Sequence, residues 1–379
     1  MKQSSKLFCL TFVTLSAWYP KLSFALFSST LDNPKYTTSE ITEDVFIKAS
    51  TFDVSQTFQT APVFKLYDGQ GATFYKWDMP NLENYTTSAG ETIFHSVPAS
   101  TLPDDYLDVK YLTDSGLMSN IRYKVTDATE GQRRTTFNND ELTTNFIGIH
   151  TANANSDSVL GGAIHNAKQS INSIGGDFVN NSVKSNVAYV IGGAIYNDRG
   201  TINKISGDFV RNTADVQNCT NGINCPHSQA TGGAIANIYG NVTEVSGNFI
   251  VNTTYSHGGA SYGGAIYNGG DFGTIAADFL YNSSSSFGMY GSGGAIANDG
   301  SISDVRGDFL GNYAKGFNNV ATGGGAISNR GDFSATIGNI TGNFISNYAV
   351  GDIYNGAYIS GTCTIANGGA IQNGGDIES

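Results

Sequence analysis

The sequence predicts an all-β protein: a parallel β-helix of about seven coils, preceded by a β-rich N-terminal cap region. Three observations predict it. The phrase G-G-A-I-x-N occurs seven times, starting at Gly161, Gly192, Gly232, Gly263, Gly293, Gly324 and Gly368, with steps of 31, 40, 31, 30, 31 and 44 residues. A near-constant period of that length marks a stacked array. An F-x-x-N unit alternates with it, at Phe178, Phe209, Phe249, Phe279, Phe309 and Phe344, each with Asn three residues later. Finally, every unit is crowded with Gly, Asn, Ser and Asp and has no apolar stripe at helical spacing, so short strands are the better reading.

Each period divides into three extended pieces, A-I-x-N, an I-x-x-I segment and F-x-x-N, separated by Gly-rich corners that need positive φ or close backbone approach. With one coil per period, like residues stack at ~4.8 Å. The column from Ile164 to Ile371, the I-x-x-I pairs such as Ile202 with Ile205, and the Phe column become core ladders, each buried Phe contributing roughly 1.5–3 kcal/mol. Two Asn columns run beside them. One is Asn166, Asn197, Asn237, Asn268, Asn298, Asn329 and Asn373; the other runs from Asn181 to Asn347. A side-chain amide can donate to the carboxamide of one neighbouring coil and accept from the other. A further column, Asp177, Asp208, Asn248, Asp278, Asp308 and Asn343, reads as a solvated turn whose side chains cap their own backbone, with a cation bridging Asp pairs as the alternative. Tyr255, after the third F-x-x-N, reads as a loop residue.

Residues 1–25 read as a signal peptide. Met1 to Lys6 carries two lysines and no acid, the apolar run Leu7 to Tyr19 is too short to span a bilayer, and Ser23-Phe24-Ala25 supplies small residues at the cleavage-defining positions. An uncleaved anchor is the alternative. Residues 26–158 hold most of the prolines, less Gly and no GGAI, and so form a separate β-rich region. Asp105 to Tyr111 and Asn120 to Val125 alternate as half-buried strands. A cap there is expected on physical grounds, because an open β-helix end exposes unpaired backbone groups. Trp77, with Phe74 and Tyr75, reads as core packing, with a sugar-stacking site as the alternative. Residues 159–379 are the repeat β-helix, incomplete at its C-terminal end.

Net charge is −12 and no Lys or Arg cluster offers a phosphate-binding stripe, so no nucleic-acid partner is expected. After signal removal Cys219, Cys225 and Cys363 remain. Cys363 falls in the same loop as the first two but four coils along, ~19 Å away at ~4.8 Å per coil, beyond the ~7 Å Cα limit for a bridge. A local Cys219–Cys225 disulfide with Cys363 free is therefore expected; a zinc site including His227 is the runner-up, with spacing unlike the usual metal motifs. No other metal and no cofactor is expected. His95, His150, His165, His227 and His257 fall at unrelated positions in their units, and no Ser-His-Asp, H-E-x-x-H or P-loop pattern appears.

The alternation of GGAI with F-x-x-N over residues 155–379 resembles the chlamydial polymorphic membrane proteins and, more broadly, autotransporter passenger domains. That resemblance implies a right-handed, pectin-lyase-like β-helix passenger, export, delivery to the cell surface through an outer-membrane β-barrel, and adhesion to cells. This chain carries no such barrel, so contact with an outer membrane is expected only through one absent from it. The expected function is an adhesin or structural stalk, its partner a host or neighbouring cell-surface protein or glycan. The alternative is a secreted polysaccharide-active β-helix enzyme, a lyase or hydrolase.

The two longest periods place extra residues at one corner, Asp215 to Thr231 and Ala349 to Asn367. Loops on a rigid scaffold commonly carry recognition, which makes Tyr354 and Tyr358 candidate recognition residues. The seventh GGAI is followed only by Gln372 to Ser379, with no further F-x-x-N and no polar cap. The expectation is a fragment or truncated product of a longer protein, or else a complete secreted chain that covers its open end by self-association.

Overall fold

The computed structural model describes residues 145–153, 158–217, 228–317, 322–352 and 366–377, apart from 187, 332 and 333, together with separate strands between 63 and 143. The repeat region is a right-handed parallel β-helix of about six turns. One coil shows the plan: Ile195–Asp198, Thr201–Ser206, Phe209–Val210, Thr213–Val216 and Ala230–Thr231 are its strands. Each pairs in parallel with its counterpart in the next coil. There are thus five short ladders where the sequence reading has three extended pieces. The two additional ones form an arm: the chain runs outward along Thr213–Val216, turns, and returns along Ala230–Thr231 to the next Gly-Gly corner. Tyr255 belongs to the outgoing ladder, in Thr253–Ser256, and not to a loop.

The Gly-Gly corner has two separate causes. The first glycine takes positive φ in every repeat, from 59° at Gly161 to 69° at Gly192. The second is held by closeness, since a Cβ on Gly193 would lie 1.9 Å from the Gly233 carbonyl oxygen of the next coil. No side chain fits there.

F-x-x-N is a tight arc and not an extended strand. Its third residue is left-handed throughout, as Asn180, Arg211, Val251, Tyr281 and Ser346 at φ 53–57° and as Gly311 at 63°. That kink turns both Phe and Asn inward, and the six phenylalanines stack on their neighbours with centroids 4.6–5.0 Å apart and planes within 9° of parallel. The isoleucine columns pack against them in one continuous core.

The ladders also begin before residue 159. Phe146 stacks on Phe178 at 4.8 Å, Phe137–Thr143 pairs in parallel with Ser170–Gly175, and Thr92–His95 pairs in parallel with His150–Asn153. Tyr106–Leu112 lies antiparallel against Ile164–Ala167, so the first GGAI strand has its edge covered. The strands expected near Asp105 and Asn120 are Tyr106–Leu112 and Met118–Val125, which pair with each other. Phe74, Tyr75 and Trp77 lie in one strand, Phe74–Asp78, and their side chains are outside the described set, as are residues 1–25 entirely.

Phe249 is fully buried between Phe209 at 4.7 Å and Phe279 at 5.0 Å. Phe249→Ala should therefore cost ~3–5 kcal/mol. Tyr239→Ala, at a side chain 72% exposed, should change stability by no more than ~0.5 kcal/mol. Denaturant unfolding of the two variants checks this, and equal losses would contradict the ladder.

Candidate functional site

Both Asn columns are continuous hydrogen-bonded ladders. In the first, each Nδ2 donates to the next Oδ1 at 2.8–3.0 Å, from Asn166 through Asn197, Asn237, Asn268, Asn298 and Asn329 to Asn373. The second is more fully satisfied. Asn252 donates from Nδ2 to the Phe209 carbonyl at 2.8 Å and to Asn282 Oδ1 at 3.0 Å, while its own Oδ1 accepts from the Asn212 backbone N–H and Nδ2 at 2.9 Å each. A buried amide with its capacity filled this way is stabilising, whereas one left unpaired costs about 1–3 kcal/mol. These residues hold the scaffold and leave no polar atom over for a ligand.

Both long insertions leave the stack at one place, the tip of the arm. Residues 218–227 lie between Val216 and Ala230, and 353–365 between Asp352 and Ala366. In the intervening coils the same turn is short, as between Ser256 and Ser261. Cys219, Cys225, His227, Tyr354, Tyr358 and Cys363 all fall on residues outside the described set. Among the described histidines, His165 stacks on Tyr196 at 4.6 Å and His150 Nδ1 shares a hydrogen bond with Ser182 Oγ at 2.8 Å. The latter is a rung between register partners, of the same kind as Thr253 Oγ1 with Ser283 Oγ at 3.1 Å. No group of three or more His, Cys, Asp or Glu suited to a metal occurs among the described residues.

A polar cluster that the sequence does not announce fills the corner between the returning arm strand and the GGAI strand. Tyr262 donates its hydroxyl to Tyr290 at 2.6 Å, Tyr267 donates to Asp299 Oδ2 at 2.9 Å, and Arg330 Nε pairs with Asp299 Oδ1 at 3.0 Å. The Arg330 guanidinium lies 4.4 Å from the Tyr262 ring centre, in cation–π range. Burial pushes both the Tyr262 and Tyr267 phenols up from their ordinary value, and the Asp299 carboxylate adds to the effect at Tyr267. Both therefore stay protonated at neutral pH, and the cluster serves as a packed corner. No family model, curated protein or solved structure matches this chain.

The Asp/Asn column differs from its sequence reading in two ways. Its side chains cap the next coil and not their own backbone: Asp177 Oδ1 accepts from the Asp208 N–H at 3.0 Å, Asp208 from Asn248 at 3.0 Å, Asp278 from Asp308 at 2.8 Å and Asp308 from Asn343 at 2.9 Å. Nor is the middle of the column solvated, since Asp208, Asn248, Asp278 and Asp308 are all at most 4% exposed. The second carboxylate oxygens of Asp278 and Asp308 are buried without a hydrogen-bond partner. Local capping is the usual habit of an isolated Asp after a turn; in a stack, the neighbouring coil presents the nearer N–H.

Burial is the main reason that the Asp278 carboxyl is pushed up to about 7; the Asp308 N–H opposes the shift and the Asp308 carboxylate adds to it. Burial raises Asp308 as well. A carboxyl with a raised folded pKa holds more protons folded than unfolded between pH ~4 and ~7, so stability falls as pH rises through that window and levels off above it. Asp278→Asn retains an acceptor for the Asp308 N–H and removes the charge. The variant should be more stable than the parent at pH 8, by on the order of a few kcal/mol, with a correspondingly higher melting temperature, and alike at pH 4. A melting difference independent of pH would contradict the assignment.

Proposed function

We propose that this chain is an exported surface protein, an autotransporter-like passenger that acts as an adhesin or structural stalk toward a protein or glycan of a host or neighbouring cell. The observation that carries the reading is the placement of sequence variation. Period length varies by up to 14 residues, yet both long insertions emerge at the arm tip and the core ladders pass through them without a break. A stack that is uniform inside and variable along one edge suits display of recognition loops on a rigid support. The signal-like N-terminus and the GGAI/F-x-x-N resemblance support export to the surface. The enzymatic alternative needs an acid and a base projecting together toward a substrate, and in the Asp299–Arg330 corner such groups bind one another instead.

The described strand Thr213–Val216 sets the limits of a deletion test. Asp215 to Gln217 belong to the arm, so an excision must be confined to 218–227. The variant lacking 218–227 should keep the parent's circular dichroism and lose at least half of the parent's binding to host or neighbouring cells in a flow-cytometry titration. Full binding by the deletion variant would show the edge to be ornamental, and reproducible cleavage of acidic or neutral polysaccharides by the purified chain would put the enzymatic reading first.

A further inference from the structure

The outer face of the outgoing arm sheet gathers side chains that the repeat does not require. Strand alternation and register place them. Asp215 is the cross-strand partner of Tyr255, which is the partner of Ser285. Two residues along each strand, on the same face, come Gln217, His257 and Phe287. The backbone N–H groups of His257 and Phe287 bond to Val216 and Ser256 of the preceding coils and keep the second row in line. The three rings meet: His257 and Phe287 stack with centroids 5.5 Å apart, and Tyr255 stands edge-on to Phe287 at 5.6 Å. Beside them Gln217 Nε2 donates to Asp215 Oδ2 at 2.7 Å, and Asp215 Oδ1 is held inside the cluster without a hydrogen-bond partner. Burial raises the Asp215 carboxyl from its ordinary value, with Gln217, Lys184 and His257 opposing.

From this juxtaposition we propose that Tyr255, His257, Phe287, Asp215 and Gln217 form a binding site for an uncharged sugar residue of a cell-surface glycan. The chemistry is complementary. A pyranose presents a face of C–H groups, which carry partial positive charge and pack on the negative faces of aromatic rings. Its rim of hydroxyls needs planar acceptors and donors, which Asp215 Oδ2 and the exposed Gln217 amide supply beside the rings. Ser285, the partner of Tyr255 in the next coil, adds only a small hydroxyl beside the Tyr255–Phe287 ring pair. Within the site the Asp215 carboxylate would face any carboxylate or sulfate brought to the rings, while Lys184 and Lys315 lie one strand outside it on either side of the same face. The three aromatic and two polar residues come from three successive coils, at the base of the turn from which residues 218–227 emerge. The site therefore lies on the same edge as the recognition loops of the adhesive reading, on which this proposal rests.

The test is a titration of the full chain with neutral oligosaccharides ending in galactose, glucose, mannose, fucose or N-acetylglucosamine, against sialylated and sulfated counterparts. At least one neutral ending should saturate. Phe287→Ala and Asp215→Asn should each weaken it tenfold or more while keeping the parent melting temperature within a few degrees, and Tyr239→Ala, at an exposed ring elsewhere, should leave it unchanged. Because Phe287→Ala alone could perturb the sheet, the near-isosteric Asp215→Asn carries the decision. Unchanged affinity in Asp215→Asn, or binding confined to acidic glycans, would overturn the site. If no glycan binds while the chain still adheres to cells, the site falls and the adhesive reading stands; absence of both removes the reading with it.

Discussion

The structure depends on a buried amide that is satisfied only in one register. Each inner Asn gives its two hydrogens and accepts with its oxygen across neighbouring coils, so a slip of even one residue leaves several buried groups unpaired at about 1–3 kcal/mol each. The Gly-Gly corner enforces the same register sterically, with backbone of one coil pressed where a Cβ would otherwise sit. Stacked phenylalanines at 4.6–5.0 Å then follow from the spacing of the coils. Hydrogen bonding, sterics and apolar packing thus all select one arrangement, which is what a sequence that specifies a single fold requires.

This constraint explains where the molecule can vary. The GGAI, I-x-x-I and F-x-x-N pieces are held on every side by equivalent pieces, and a change in one propagates to two neighbours. The arm is less constrained. Its inner face is tightly packed, by Val183, Ala214 and Val216 at one end and by Ser284 and Ser286 further along, while its outer face changes from Lys184 to Asp215, Tyr255, Ser285 and Lys315 in successive coils. Chemistry specific to one coil can appear there without cost to the core. Variable period length and variable side chains therefore fall on the same edge for one physical reason.

What could be read from the sequence follows the same division. The Phe and Asn ladders were legible because the same residue type recurs at the same step, and a column of identical polar groups has an obvious way to satisfy itself. The arm strands were not, because Thr213–Val216 and Ser283–Ser286 share no residue type on their outer faces, and Tyr255 consequently read as a loop residue. The Asp column was located but misread: a solvated turn capping itself is the local solution, whereas the stack offers Asp278 the N–H of Asp308 and removes water from both. Tyr262, Tyr267, Tyr290, Asp299 and Arg330 gave no signal, since the three tyrosines sit at different places in their repeats and Asp299 and Arg330, though equivalent, differ in residue type. Tyr354, Tyr358, Cys219 and Cys225 lie outside the described residues.

The most direct measurement of the register is disulfide trapping between exposed partners of adjacent coils. Lys204 and Glu244 face solvent, are paired in parallel strands and make an ion pair at 3.1 Å; Thr274 is the partner of Glu244 one coil further on. Mild oxidation of Lys204→Cys/Glu244→Cys should give a cross-linked peptide by mass spectrometry in high yield, because register partners lie within the ~4.4–6.8 Å Cα range of a disulfide. Lys204→Cys/Thr274→Cys, two coils apart at ~9.6 Å, should give none. Equal cross-linking of the two pairs, or a cross-link in the second alone, would contradict a stack of one coil per repeat.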